Sequence, residues 1–214
     1  SVADIDGDGW ADVVVRWNGR LPDRFDGAEP VRRNWVLRNT GAGFEEVGQS
    51  SGFFTTRGDY PAELGRPLEV VVFADLDDDG DLDAYSGVDT REAVVTEVDG
   101  QMVEVRETSE ILINDGAGHF ELADASHPLR RTGLGITDVP SGAAFVDFDR
   151  DGKIDLWMSQ GGLGAPLQDR LYRHTDDGFT DRTVAAGLTT RAWEDVATMN
   201  AAQGHSTAWS AASC

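Results

Sequence analysis

Apolar residues fall along this chain in short runs of five to seven, parted by stretches rich in Asp, Gly and Ser. The runs "VVVRW" (13–17), "LEVVVFA" (68–74), "AYSGV" (84–88), "SGAAFV" (141–146) and "LWMSQ" (156–160) are too short for ordinary helices. Their β-branched and aromatic residues, bounded by turn formers, predict strands. Helix-period patterns are scarce, and "TRAWEDVATMNA" (190–201) is the one short helix predicted. No apolar run approaches the roughly 18 residues of a membrane-crossing helix, so no membrane insertion is expected.

The polar stretches between these runs repeat. "DIDGDGWAD" starts at residue 4, "DLDDDGDLD" at 75 and "DFDRDGKID" at 147, spacings of 71 and 72 residues. Such a period decides the architecture before any single element does. A second block follows each motif: "WVLRNTGAGFEEVGQSSGF" (35–53), "ILINDGAGHFELADASHPL" (111–129) and "LYRHTDDGFTDRTVAAGL" (171–188). Each block reads as a strand, a Gly-containing turn and a strand opening at Phe44, Phe120 or Phe179. A unit therefore holds one strand into the acidic loop, one out of it, and a hairpin. Between loop strand and hairpin lie the inserts 18–33, 91–107 and 161–168. The second of these alternates around Asp99-Gly100 and predicts an extra hairpin. The expected fold class is all-β: β-propeller blades of four antiparallel strands, three repeats, with an ion-binding loop in each. The divisions are 1–72, 73–144 and 145–203, with 204–214 as the first strand of a further blade. With three residues ahead of Asp4, the start reads as a processed or truncated end.

The loops pose a coordination problem. Calcium takes six to eight oxygens from carboxylates and carbonyls on a tightly turned loop. In D-x-D-x-D-G-x-x-D, positions 1, 3 and 5 offer carboxylates, position 6 a Gly for the turn, and position 7 a backbone carbonyl. The ligand set is Asp4, Asp6, Asp8, Trp10 and Asp12; Asp75, Asp77, Asp79, Asp81 and Asp83; Asp147, Asp149, Asp151, Lys153 and Asp155. About three Ca²⁺ are expected. An EF-hand needs a Glu at position 12 and flanking helices. Here position 12 is Val15, Ser86 or Met158 and the flanks are strand-like, so the loop must close through the Asp at position 9.

The loops, with "RNTGAGF", "INDGAGHF" and "RHTDDGF" after them, resemble FG-GAP/VCBS repeats of the kind found in integrin α-subunit propellers. The block at 171–188 looks like secreted proteins of the cartilage acidic protein/UnbV type. The resemblance covers essentially the whole chain and implies a calcium-binding β-propeller, usually of seven blades, found outside the cytoplasm. Relatives of this kind include adhesion receptors, lectins and domains fused to enzymes. Three repeats do not close a ring, since propellers have four to eight blades. Association with further blades or with another chain is therefore expected.

Charge narrows the partners. The formal net charge is −21 and the pI about 4.3, with Lys153 the only lysine. A chain this acidic does not grip nucleic acid and is repelled by anionic membranes. The single cysteine, Cys214, forms no disulfide within the chain. "GQSSG" (48–52) matches a nucleophile elbow, but repeat alignment places it in the tail of a hairpin, not a strand-to-helix turn. The four histidines, His119, His127, His174 and His205, show no metal or triad spacing. Arg57-Gly58-Asp59 lies in a stretch expected to be an exposed loop, and its match to an integrin-read tripeptide is expected to be chance. The tryptophans are expected in the core. No N-glycosylation sequon occurs. The expected function is extracellular or cell-surface binding, in adhesion or to a protein or glycan ligand, with structural calcium and no enzymatic activity. The alternatives are a lectin-type propeller and an accessory domain of a secreted enzyme.

Overall fold

The computed structural model describes residues 1–16, 34–61, 64–89, 93–130, 139–160 and 168–188. The insert at 18–33, the expected helix at 190–201 and the expected strand at 204–214 lie outside the described residues, as do 161–167 of the third insert. What is described is all β. The first sheet is β1 (Val2–Ala3), β2 (Asp12–Arg16), β3 (Asn34–Asn39) and β4 (Phe44–Glu46), hydrogen-bonded in that order. The second unit holds β5 (Val70–Ala74), β6 (Asp83–Gly87), β7 (Val94–Val98), β8 (Gln101–Val105), β9 (Glu110–Asn114) and β10 (Phe120–Leu122). Its sheet runs β5-β6-β9-β10, and β7 and β8 pair apart from it. The third sheet is β11 (Pro140–Val146), β12 (Asp155–Gln160), β13 (Arg170–Thr175) and β14 (Gly178–Asp181). All pairs are antiparallel.

The repeat is exact to the residue where the acidic loops leave and re-enter the sheets. Ala3 pairs with Asp12, Ala74 with Asp83 and Val146 with Asp155. The predicted extra hairpin is β7–β8, turned at Asp99 (φ 51°) and Gly100 (φ 77°). Two successive left-handed residues make the turn that matches the twist of paired strands, which explains the Asp-Gly.

Two cores lie between the three sheets. Ile5, Val14, Val36, Phe53, Val71, Leu112 and Phe120 fill the space between the first and second. Leu76, Tyr85, Ile111, Leu129, Leu156, Met158 and Phe179 fill that between the second and third. The second sheet is thus covered on both faces. That is why β6 is buried at every position, whereas β4 at the far side of the first sheet is exposed throughout. Tyr, Phe and aliphatic side chains build the cores. The tryptophans do not: Trp10 is exposed, and Trp35 and Trp157 are only half-buried. The expectation of a tryptophan core fails for these three because they stand at loop or outward strand positions. Trp17, Trp193 and Trp209 lie outside the described residues. No closed ring forms among the described residues.

Candidate metal centres

The three acidic loops share one conformation. Their fourth residues, Gly7, Asp78 and Arg150, are left-handed at φ 68°, 63° and 61°. Their sixth, Gly9, Gly80 and Gly152, lie at 91°, 97° and 89°, where a side chain is strained. Hydrogen bonds within each loop follow the same plan. The sixth N–H donates to the first carboxylate: Gly9 to Asp4 at 2.9 Å, Gly80 to Asp75 and Gly152 to Asp147 at 3.0 Å. The seventh N–H donates to the fifth carboxylate, Trp10 to Asp8, Asp81 to Asp79 and Lys153 to Asp151.

The ninth residue does something spacing alone does not reveal. Asp12, Asp83 and Asp155 are fully buried, and each accepts two backbone N–H donors from different elements. One comes from the second loop residue: Ile5 to Asp12 at 2.9 Å, Leu76 to Asp83 and Phe148 to Asp155 at 3.0 Å. The other comes from the hairpin: Asn39 to Asp12 at 2.7 Å, Asn114 to Asp83 at 2.9 Å and His174 to Asp155 at 2.8 Å. This Asp clamps loop and hairpin to the sheet, and Asp83 and Asp155 also face their clusters.

Carboxylate oxygens converge in every loop. Asp4, Asp6 and Asp8, then Asp75, Asp77 and Asp83, then Asp147, Asp149 and Asp155 each bring one oxygen within 4.8 Å of the others. Asp12, Asp79 and Asp151 lie outside these triads. Trp10 lays its indole on Gly41, and the Lys153 ammonium pairs with Asp176 at 3.0 Å. Backbone carbonyls, not side chains, are what these two residues and Asp81 were expected to offer.

The clusters resist carrying their charge. Burial, with Asp77 and Asp81 adding repulsion, pushes the Asp83 carboxyl up to about 6 despite the N–H groups of Asn114 and Leu76. Burial, helped by neighbouring carboxylates, raises Asp6, Asp77, Asp81 and Asp155 in the same direction. Two buried oxygens, Asp4 Oδ1 and Asp81 Oδ1, have no hydrogen-bond partner. Orphaned buried acceptors among hard, mutually repelling oxygens fit a divalent cation of calcium's preferences.

Clamp and ligand roles separate by mutation. Asp83→Ala strips the acceptor from two buried N–H groups and is expected to destabilise even the metal-free chain by about 2 kcal/mol or more. Asp77→Ala removes a raised carboxylate and is expected to leave metal-free stability unchanged or higher. Urea unfolding of both variants in chelator checks the contrast.

Other sequence candidates resolve plainly. Ser50 Oγ donates to the Val47 carbonyl at 3.2 Å in a tail turn, and His119 Nδ1 sits 3.2 Å from Asp115. His174 stacks on Phe179 with centroids 4.3 Å apart. Arg57 of the Arg-Gly-Asp tripeptide is not displayed: its guanidinium grips buried Glu110 with Nε at 3.0 Å and Nη2 at 3.1 Å. Two residues that motif reading passed over matter more. Arg38 and Arg173 occupy equivalent hairpin positions beside the first and third loops, and the equivalent residue in the second unit is Ile113.

Residues 4–86, which include the first two loops, match the family model of the FG-GAP-like repeat. Comparison with the curated proteins finds no match.

Proposed function

We propose that this chain is a calcium-binding β-propeller module that works outside the cell, in adhesion or in binding a protein or glycan ligand. The observation that carries the reading is the threefold recurrence of one loop conformation, each copy gathering three carboxylates. When bound, calcium supplies the positive charge that lets these groups stand together at the point where the chain must reverse. Asp4, Asp6 and Asp8 hold the first ion, Asp75, Asp77 and Asp83 the second, and Asp147, Asp149 and Asp155 the third. The seventh-position carbonyls of Trp10, Asp81 and Lys153, together with Asp12, Asp79 and Asp151, complete the shells.

An extracellular setting suits this reading because FG-GAP repeats are typical of extracellular proteins. Among the described residues no helix is long and apolar enough to cross a membrane. Binding is proposed over catalysis: Ser50, the one nucleophile-elbow match, spends its hydroxyl on a backbone carbonyl. Calorimetric titration with calcium tests the assignment. About three ions per chain are expected, and Asp77→Ala is expected to lose one of them. A chain that takes up no calcium sinks the reading. A glycan array and protein capture on the calcium-loaded chain then divide lectin from adhesin.

A further inference from the structure

The first and third units present the same hollow in two states. Between the first and second units a small cavity of about 90 Å³ is lined by Ile5, Asp6, Arg38, Val47, Ser50 and Ser51. The hairpin turn of the second unit, at Ala117, Gly118 and His119, closes it. On the third unit an open hollow of about 420 Å³ is lined by Phe148, Asp149, Arg173, Arg182, Ala185 and Ala186. These are the same six repeat positions, one for one. What differs is that, among the described residues, no hairpin turn plugs the second hollow.

Burial tells the same story at one lining position and at two other places. The second loop residue is buried in Ile5 and Leu76, but Phe148 is 39% exposed. The tail residue nine after the hairpin Phe is buried in Phe53 and Leu129, whereas Leu188 is 41% exposed. The hairpin Phe itself is buried in Phe120 and Phe179, while Phe44 of the first unit is 57% exposed. Where a neighbour is present, the contact is specific. Phe120 N–H donates to the Ser51 carbonyl at 2.7 Å, and the Phe53 and Phe120 rings meet edge-on with centroids 5.1 Å apart. The Asn114 amide reaches the Ile5 carbonyl at 2.8 Å. Gly118 suits the plug because its φ of 77° strains any side chain, and a Cβ there would stand a tight 3.1 Å from the Asp6 Cβ.

One chain carries both halves of this joint. The plug of the first socket is the turn Gly116-Ala117-Gly118, and the first unit's own turn is Gly41-Ala42-Gly43, followed by exposed Phe44. We propose that the third unit's hollow is a socket for this hairpin of a second copy of the chain, joined head to tail. Two copies joined twice bring together six of the described four-stranded sheets, a number within the range of closed propellers. The closed pair is two-fold symmetric, and each of its two joints sets the plug of one copy in the socket of the other, so plug and socket can be broken separately.

Light scattering over a concentration series tests this. The calcium-loaded chain is expected to approach twice its 23.1 kDa mass. Phe44→Arg, which spoils the plug, and Ala185→Arg, which spoils the socket, are each expected to weaken self-association at least tenfold. Both positions are exposed, so the melting temperatures of the monomers should not fall. Mixing the two variants leaves one intact plug facing one intact socket and restores a 1:1 pair. A chain that stays monomeric, variants that still self-associate like the parent, or a mixture without rescue would each overturn the proposal.

The ion pairs of the third loop carry a second, independent inference, which rests on the calcium reading. The second loop holds six aspartates and no base between residues 75 and 83, whereas the third holds four aspartates with Arg150 and Lys153. Arg173 also bridges two of those carboxylates, Nε donating to Asp149 and Nη2 to Asp151 at 2.6 Å. Arg38, its counterpart beside the first loop, is instead paired with Glu45 at 2.8 Å. We infer that the three calcium sites are graded, the second tightest and the third weakest, because Arg173 serves the third as a resident counter-cation. A charge a few ångströms from a divalent ion acts strongly even in water, so Arg173→Met is expected to tighten the third site roughly tenfold. Arg173→Lys, which keeps charge but loses the fork, should fall between. Calorimetry of the parent should show two tighter ions and one weaker, the weaker lost in Asp149→Ala. Three equal sites, or an Arg173→Met chain that titrates like the parent, overturn the grading and leave calcium binding intact. Absence of any calcium uptake overturns both.

Discussion

Removing calcium is expected to lower the melting temperature by on the order of 20 °C. An ion that binds only the folded loop stabilises by mass action, about 2.7 kcal/mol per site at a hundredfold excess over Kd. Three sites together reach roughly 8 kcal/mol, comparable to the whole stability of an ordinary domain. Each kcal/mol is worth about 2–4 °C in a chain of this size. The hydrogen bonds within each loop do not neutralise its charge. Their carboxylates crowd together, Asp77 and Asp83 are already pushed towards the protonated form, and two buried oxygens lack partners. Scanning calorimetry with calcium, with EGTA, and with calcium returned measures this. Magnesium is expected to restore little, since its compact octahedral shell fits such loops poorly. Melting curves that overlay in calcium and EGTA would reduce the loops to acidic turns.

Much of this architecture was legible in the chain because a repeat is its own alignment. Three copies of D-x-D-x-D-G-x-x-D at nearly constant spacing located the strands on either side, since the ninth Asp must sit where the outgoing strand begins. The Asp-Gly at 99–100 located the extra hairpin through the backbone angles those two residues tolerate. What stayed hidden was whatever depends on one unit meeting another. Nothing in the pattern distinguished Phe44 from Phe120 and Phe179, although one is exposed and two are buried. Their difference lies in who stands next to them. The same holds for Arg57, whose tripeptide suggested display until the structure placed Glu110, 53 residues away, against its guanidinium. Arg173 was invisible for a related reason: a hairpin arginine has no motif, and only the fold brings it over the third loop.

The second large effect is expected at that buried carboxylate. Glu110 opens β9 and is 1% exposed as a side chain, yet it carries two arginines. Arg57 comes from the tail of the first unit and Arg130, at 2.9 Å, from the tail of the second. Thr108 Oγ1 adds a third donor at 2.8 Å, while Arg57 also donates to the Ala123 carbonyl at 2.6 Å. The cluster therefore fastens the first unit's tail to the second sheet. Burial pushes the Glu110 carboxyl up, but the bonds from Arg57, Arg130 and Thr108 outweigh it and hold the carboxyl below its ordinary value. Glu110→Ala strands both guanidiniums and is expected to cost about 3 kcal/mol, at the lower end for a broken buried pair because each arginine keeps some exposure. Arg57→Lys, which keeps charge but loses the two-pronged grip, should cost less. Because the folded carboxyl is the stronger acid, its contribution is complete above the unfolded value of about 4.3 and fades as the pH falls through the folded value. Urea unfolding in saturating calcium should therefore separate the parent from Glu110→Gln widely at pH 7. The gap should narrow below about pH 4, as the parent's own Glu110 is protonated. A gap that stays constant down to pH 3, or a Glu110→Ala chain as stable as the parent, would show that the cluster fastens nothing.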